Sequence, residues 1–324
     1  NSNILVGTGA TSSASINAFS RTVATNLFSA LRIIENSGAS SYWDIGATGG
    51  SSTVLNFFHN ANVTPKMTLT GGDLVSTTYN GIPFYSDVAN NSMYTHDVSG
   101  TDSTAQGNTA YGFGALDAVT GGDLNTVVGY LAGSAINSGS NNVLMGYATG
   151  DALTTGGDNV AIGYAALSVE DTTGKATAIG YKALNAQNAA GDSYNVAVGY
   201  EAGASITTGD LNTLVGGDAG DALTEGNRNV AVGYNALTAE TLGDRNVAIG
   251  FSALETQNNT SDLDAYNVAM GYEAGKSVTT GVKNTLIGGL AGDALTTGQQ
   301  NVALGYNALS SEDLGSRSTA LGYN

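Results

Sequence analysis

Few residues in this 324-residue chain have the types and spacing that catalysis demands. Histidine occurs twice, at His59 and His96, outside any metal-ligand spacing such as His-Glu-x-x-His, and cysteine is absent. A serine nucleophile in the C-terminal two-thirds would therefore have no imidazole base there. The glycine-rich turns lack the Lys-Ser/Thr that completes a phosphate loop. Two carboxylate pairs, Glu170 with Asp171 and Asp262 with Asp264, have the residue types for glycoside hydrolysis, but adjacent acids in a turn are ordinarily just solvated. Thr120–Asp123 and Thr155–Asp158 share the Thr-Gly-Gly-Asp of calcium-binding rolls without their nonapeptide period. The expectation is a non-enzyme with no catalytic residue, no metal site and no cofactor.

Binding chemistry is better served. Two loops, Asn185–Tyr194 and Glu255–Tyr266, mix aromatic, amide and acidic side chains. The candidates are Gln187, Asn188, Asp192 and Tyr194 in the first, and Gln257, Asn258, Asp262, Asp264 and Tyr266 in the second. Aromatic faces stack on sugar rings while carboxylates and amides bond hydroxyls, so the mixture suits a glycan. The competing reading is that both loops are idle decoration. Rungs of 17 residues close without them, so shortening them is expected to leave the scaffold intact.

The scaffold is a repeat. Thirteen copies of Asn–Val/Thr–x–apolar–Gly–Tyr–x–Ala–Leu/Gly run from Gly112 to Gly322, 17 residues apart except for steps of 19 to Gly199 and 21 to Gly271. The two loops are those longer steps. A period this short signals a stacked solenoid, because one unit cannot bury its own apolar face. Twelve steps of about 4.8 Å make a rod about 60 Å long. Two strands and two turns per rung, a flattened roll, fit the length.

Alternation inside each phrase is a strand pattern. In Asn159–Tyr164, Val160 and Ile162 share one face, and Ala161 and Gly163 share the other. The larger residues are expected to form the core. The Ala/Gly face is expected to meet another backbone closely, that of a second chain, giving a side-by-side homotrimer that Gly233→Lys would weaken. Eleven phrases open with Asn, the exceptions being Ala176 and Ser318, and stacked Asn side chains can pass hydrogen bonds along the axis. The residue four after each glycine cycles Gly, Gly, Leu, Leu. Where it is Gly, an apolar residue follows three positions on (Ile136, Leu153, Ile206, Leu223, Val278, Leu295). Where it is Leu, that position is polar (Glu170, Gln187, Glu240, Gln257, Glu312). One core slot is thus filled from either of two places, and the true unit is four rungs.

Composition agrees with an all-β chain of this kind. Glycine is 46 residues but proline only 2, unlike collagen or disordered tracts, and charged residues are 11%. Ten basic against 27 acidic residues, net −17, argue against nucleic acid and anionic lipid as partners, and no run of 18 apolar residues exists for membrane insertion. Three regions result: a small antiparallel, sandwich-like β domain over 1–85, a polar linker over 86–107, and the parallel β-roll solenoid of 13 rungs over 108–324. In the first, strands are expected at Leu27–Glu35, Ser41–Ile45, Thr53–Phe58, Met67–Thr70 and Leu74–Thr78, with Trp43, Phe57 and Phe58 in its core.

The repeat over 108–323, with its Val-Ala-Ile-Gly centre and following Ala, resembles the head of YadA-type trimeric autotransporter adhesins. Such heads are left-handed parallel β-rolls of three chains. Alternating NTxxGYxAG and NVAxGYxAL phrases also look like tail-fibre repeats of tailed bacteriophages. Tyr42–Leu74 resembles a module of the same fibres, a Trp-Asp-Ile strand followed by a Lys-Met-Thr-Leu strand. The resemblance implies a virion attachment fibre, extracellular and homotrimeric, joined to other tail proteins through a missing N-terminal part and recognising a host-surface glycan or other receptor. Alternatives are a bacterial adhesin head and a glycan-depolymerising tailspike. A chain that starts at Asn1 and stops at Asn324 inside a rung is expected to be an excised piece, and such fibres often lose a C-terminal chaperone.

Overall fold

The computed structural model describes strand backbones between residues 16 and 87, residues 92–95, and residues 104–324 except Thr173. The chain divides into two units, Asn1–Tyr85 and Ser86–Asn324, and the described residues contain strands and turns without a helix.

In the first unit six strands form one antiparallel sheet in chain order: β1 (Ile16–Val23), β2 (Asn26–Ile34), β3 (Tyr42–Ala47), β4 (Val54–His59), β5 (Met67–Thr70) and β6 (Asp73–Val75). β1 was not legible, since INAFSRTV breaks alternation with an arginine. The stretch read as one strand, Leu74–Thr78, is divided between β6 and a separate pair, Thr78–Tyr79 with Ile82–Pro83. The six strands make one meander, and the Thr78–Pro83 pair is a second, two-stranded sheet. The side chains of Trp43, Phe57 and Phe58, read as core, lie outside the described residues.

The second unit is a parallel β-solenoid of about 13 turns, built on a 15-stranded sheet. Equivalent residues of successive rungs stand in register, as in Val160↔Thr177, Ala161↔Ala178 and Ile162↔Ile179. Two further strands precede the repeat, Tyr85–Asp87 and Ser92–Tyr94. Within the stretch assigned to a linker, Met93 pairs with Thr109 and Tyr94 with Ala110, and Tyr94 is buried. Ser92 stands where an asparagine would, its Oγ accepting the Asn108 N–H at 3.0 Å. The exchanged residue and an off-period step hid this extra turn.

The faces of the strand are the reverse of the sequence expectation. Ala161, Ala178, Ala197, Ala231 and Ala248, with Val127, Leu144, Leu214 and Leu286 at the same position, are fully buried and form the core. Val160 and Ile162 are only half-buried, on the outer face. Hydrophobicity alone marks a residue as wanting cover and does not say which side provides it. Close backbone approach at the glycine column is real, but the neighbour is the same chain. Gly163 has φ 136°, and a Cβ there would lie 2.2 Å from the Gly180 carbonyl oxygen. Gly233 is alike, its absent Cβ 2.3 Å from the Gly250 oxygen. Gly233→Lys would therefore break the roll itself, and the Ala/Gly face gives no argument for a trimer.

Each rung has one three-residue strand, and a second, two-residue strand forms only at Gly243–Asp244 and Leu263–Asp264, which pair in parallel. The return leg still bonds rung to rung, Gly150 N–H to Ala166 O at 3.0 Å and Leu167 N–H to Ala183 O at 3.1 Å. Left-handed residues such as Ala165 (φ 49°) and Leu167 (φ 54°) keep it from extending. Left-handed leucine is strained by about 1–2 kcal/mol, tolerated because its side chain is fully buried. In Gly-type rungs a glycine carries the left-handed φ at that position without strain, and the slot is filled from three residues further on: a Cβ at Gly203 would meet Ile206 at 3.0 Å. The two-way slot read in sequence is thus observed.

The asparagines form a buried ladder along the axis. Asn229 N–H donates to Asn212 Oδ1 at 2.9 Å, Asn229 Nδ2 donates to Gly243 O at 2.9 Å, and Asn229 Oδ1 accepts Asn246 N–H at 2.9 Å. Backbone groups at the strand entrance, which face the dry interior, are satisfied in this way.

Candidate ligand-binding surface

The structure divides the candidate residues of the two long loops into two sets. Asn188, Asp192, Tyr194, Asn258, Asp262 and Tyr266 are exposed, and Asp264 is half-buried. Gln187 and Gln257 are fully buried. Gln187 Nε2 donates to Glu170 Oε2 and Ser193 Oγ, both at 3.0 Å, and its Oε1 accepts Asn195 Nδ2 at 2.9 Å. Gln257 Nε2 donates to Glu240 Oε2 at 2.8 Å and its Oε1 accepts Asn267 Nδ2 at 2.9 Å. Both amides are engaged inside the roll and cannot meet a ligand from solution. They tie each loop to the asparagine ladder.

The partners of these glutamines are buried glutamates that charge alone marked as solvent-facing. Glu240 Oε1 accepts the backbone N–H groups of Thr241, Gly243 and Asn259 at 3.0, 2.8 and 3.0 Å, and Oε2 accepts Asn259 Nδ2 at 2.9 Å. So many donors replace the lost hydration of a carboxylate. The usable signal was the order Glu170 then Gln187, Glu240 then Gln257, one rung apart in both units.

At the exposed end of each loop a cation from the preceding rung joins the acid and the tyrosine. Lys175 Nζ bonds Asp192, donates to Tyr194 Oη at 3.2 Å and lies 5.2 Å from that ring centroid. Asp192 is the main cause that holds the Lys175 ammonium well above its ordinary pKa, with Tyr194 second. Arg245 likewise bonds Asp264, while its guanidinium lies 5.6 Å from the Tyr266 centroid and Tyr266 Oη donates to Asp264 Oδ2 at 3.1 Å. Both clusters are internally satisfied. Of the suggested hydrolytic pairs, Glu170 is buried, and Asp264 is held by Arg245 and Tyr266.

A second surface was not singled out from the sequence. The residue after each rung glycine is aromatic in eleven rungs, and these rings stack into an exposed ladder. Phe113, Tyr130, Tyr147, Tyr164, Tyr181 and Tyr200 follow one another at 5.1–5.9 Å between centroids. The ladder resumes with Tyr234, Phe251 and Tyr272, and again with Tyr306 and Tyr323. Gly217 and Gly289 take the ring position at the two breaks. The signal lay in the repeat itself, as the two phrases that read Gly-Gly where the others read Gly-Tyr or Gly-Phe.

No protein-family model, curated protein or solved structure matches the chain.

Proposed function

We propose that this chain is the shaft of a bacteriophage tail fibre, a non-enzymatic homotrimer that recognises a glycan on the host-cell surface. The observation that carries the reading is the outer strand face. Along all thirteen rungs it presents only Val or Thr and then Val, Ile, Leu, Met or Tyr111, never a charge. Met145, Met270 and Leu304 are 42–48% exposed in the single chain. Parallel sheets are ordinarily covered on both faces, and an apolar stripe this long is a contact surface. Two further copies side by side would cover it, which agrees with the trimeric rolls and fibre repeats that the sequence resembles. Net charge −17 keeps such a rod soluble and away from anionic surfaces.

Recognition is tested with the fluorescently labelled full chain and a panel of bacterial strains. Binding is expected to some strains and not others, and to be lost when the cells are first oxidised with periodate. Failure to bind any strain, or binding indifferent to periodate, contradicts glycan recognition.

A further inference from the structure

We propose that the two breaks in the aromatic ladder are binding slots, each taking one pyranose ring of an uncharged glycan between two tyrosines. The proposal rests on the surface-recognition reading above and deepens it by naming the place and the ligand class.

The glycines at the breaks are not demanded by the backbone. Gly216 needs its positive φ of 139° and would drive a Cβ to 2.4 Å from the Gly233 oxygen. Gly217 beside it has no left-handed φ, and its nearest neighbour to a Cβ is the Tyr234 ring edge at 3.3 Å. Gly289 is the same, with the Tyr306 ring at 3.4 Å. Eleven other rungs place a phenylalanine or tyrosine at this position, so folding accepts an aromatic residue there. The glycines leave a ring position vacant, with the Tyr234 and Tyr306 ring edges standing against it at 3.3 and 3.4 Å from a Cβ, so a side chain enters once those rings give by a few tenths of an ångström.

Rung spacing sets the width of each vacancy at about one ring. Tyr200 and Tyr234 stand two rungs apart, about 9.6 Å along the axis, and so do Tyr272 and Tyr306. A ring in van der Waals contact with both walls needs about 7–8 Å, and two stacked rings would need more than is present. The rung at Tyr147 shows a filled position, with centroids 5.4 Å from Tyr130 and 5.2 Å from Tyr164.

The rim selects the ring. Glu201 and Asp218 lie near the Tyr200 phenol; Glu201 is the larger cause of its raised pKa. Asn235 follows Tyr234 directly. At the second break Glu273 accepts a hydrogen bond from the Tyr272 hydroxyl and is also held by Lys276 Nζ at 2.9 Å, while the Asn307 amide donates to Asn324 Oδ1 on the rung beyond. Tyrosine faces pack on the C–H faces of a sugar, and the carboxylates and amides bond its hydroxyls. Glu201 and Asp218 at the first break disfavour uronic or sialic acids and phosphorylated ligands, while at the second Glu273 is paired with Lys276. Four rungs, about 19 Å, separate the slots on the same edge of the roll, so a polysaccharide that reaches both gains by avidity.

The test compares the full chain with Gly217→Tyr/Gly289→Tyr, which fills both slots with the residue the other rungs already accommodate. Saturation-transfer NMR is recorded with hexasaccharides of glucose, mannose, galactose and N-acetylglucosamine, and with hexagalacturonate as the anionic probe. At least one uncharged hexasaccharide is expected to bind the parent chain, to weaken tenfold or more in the double variant, and to bind each single variant at an intermediate level. Hexagalacturonate is expected not to bind. Two results overturn the slots: no uncharged hexasaccharide binding the parent, or undiminished binding to the filled variant. A filled variant that loses oligomeric mass in sedimentation also overturns them, because the slots would then hold side chains of a neighbouring copy. Periodate-sensitive cell binding that survives the filling removes the slots alone and leaves glycan recognition standing.

Discussion

Asn229 illustrates how one side chain holds three rungs together. It accepts from the Asn246 backbone, donates to the Gly243 carbonyl and receives its own backbone alignment from Asn212. Asn229→Ala leaves the Asn246 N–H and the Gly243 oxygen without partners in a dry interior, at about 1–3 kcal/mol for each orphan. Chemical denaturation is expected to show a loss of about 2–4 kcal/mol. A loss below about 0.5 kcal/mol, the level of a surface substitution, would mean that the ladder is not a source of stability. The acids at Asp151, Asp221 and Asp293 act in the opposite sense. Each follows the glycine of a Gly-type rung, and burial is the largest cause that raises its carboxyl pKa above the ordinary 3.8. Asp151 Oδ1 and Asp293 Oδ1 have no hydrogen-bond partner among the described residues. A raised folded pKa means that the folded state prefers the proton, so these groups cost stability above that pKa and the cost disappears as pH falls toward the unfolded value. The triple Asp→Asn variant is expected to melt higher than the parent at pH 7, with the advantage gone by about pH 4. An advantage independent of pH would contradict burial as the cause.

At the scale of elements, the long loops are fixtures of the roll as well as surface. Because Gln187 and Gln257 bridge buried glutamates to buried asparagines, cutting Glu255–Asp264 to a plain turn is not neutral. It is expected to lower stability by about 3 kcal/mol, whereas Asn258→Ala with Asp262→Ala on the exposed part stays within about 0.5 kcal/mol. Equal effects of the two changes would show that the buried links carry nothing. How much of this was legible follows from what repetition can reveal. Thirteen recurrences of Gly112–Gly322 made the period, the asparagine ladder and the Gly/Leu slot visible, since each is a column of like residues. The facing of the strand was not visible, because Val160 and Ile162 look like core whether a chain covers them from within or a neighbour covers them from outside. Burial of Glu170 and Glu240 was hidden for a related reason: composition marks a carboxylate as solvated, and only the geometry of surrounding N–H groups reverses that. The cations Lys175 and Arg245 sit a rung away from the loops they complete, so no local window contained the cluster.

At the scale of the whole molecule, the solenoid has an interior that is complete and an outer strand face that is not. Stacked small and branched apolar residues close the inside of the rungs up to the last, where Ala320 is only partly buried, with Ala161, Leu144 and Leu214 fully buried. The outward Val and Ile have no such cover within one chain, and a rigid rod cannot fold over to supply it. Association along the full length, as proposed above, would remove that surface from water. The most direct measurement is sedimentation equilibrium of the full chain beside Val232→Lys/Ile249→Lys, which places two cations on the outer face without touching the Ala/Leu core. The parent is expected at three times the 32.5 kDa of one chain, and the variant at lower mass with an unchanged strand signal in circular dichroism. A monomeric parent, or a variant that keeps the parent's mass, would contradict the assembly on that face.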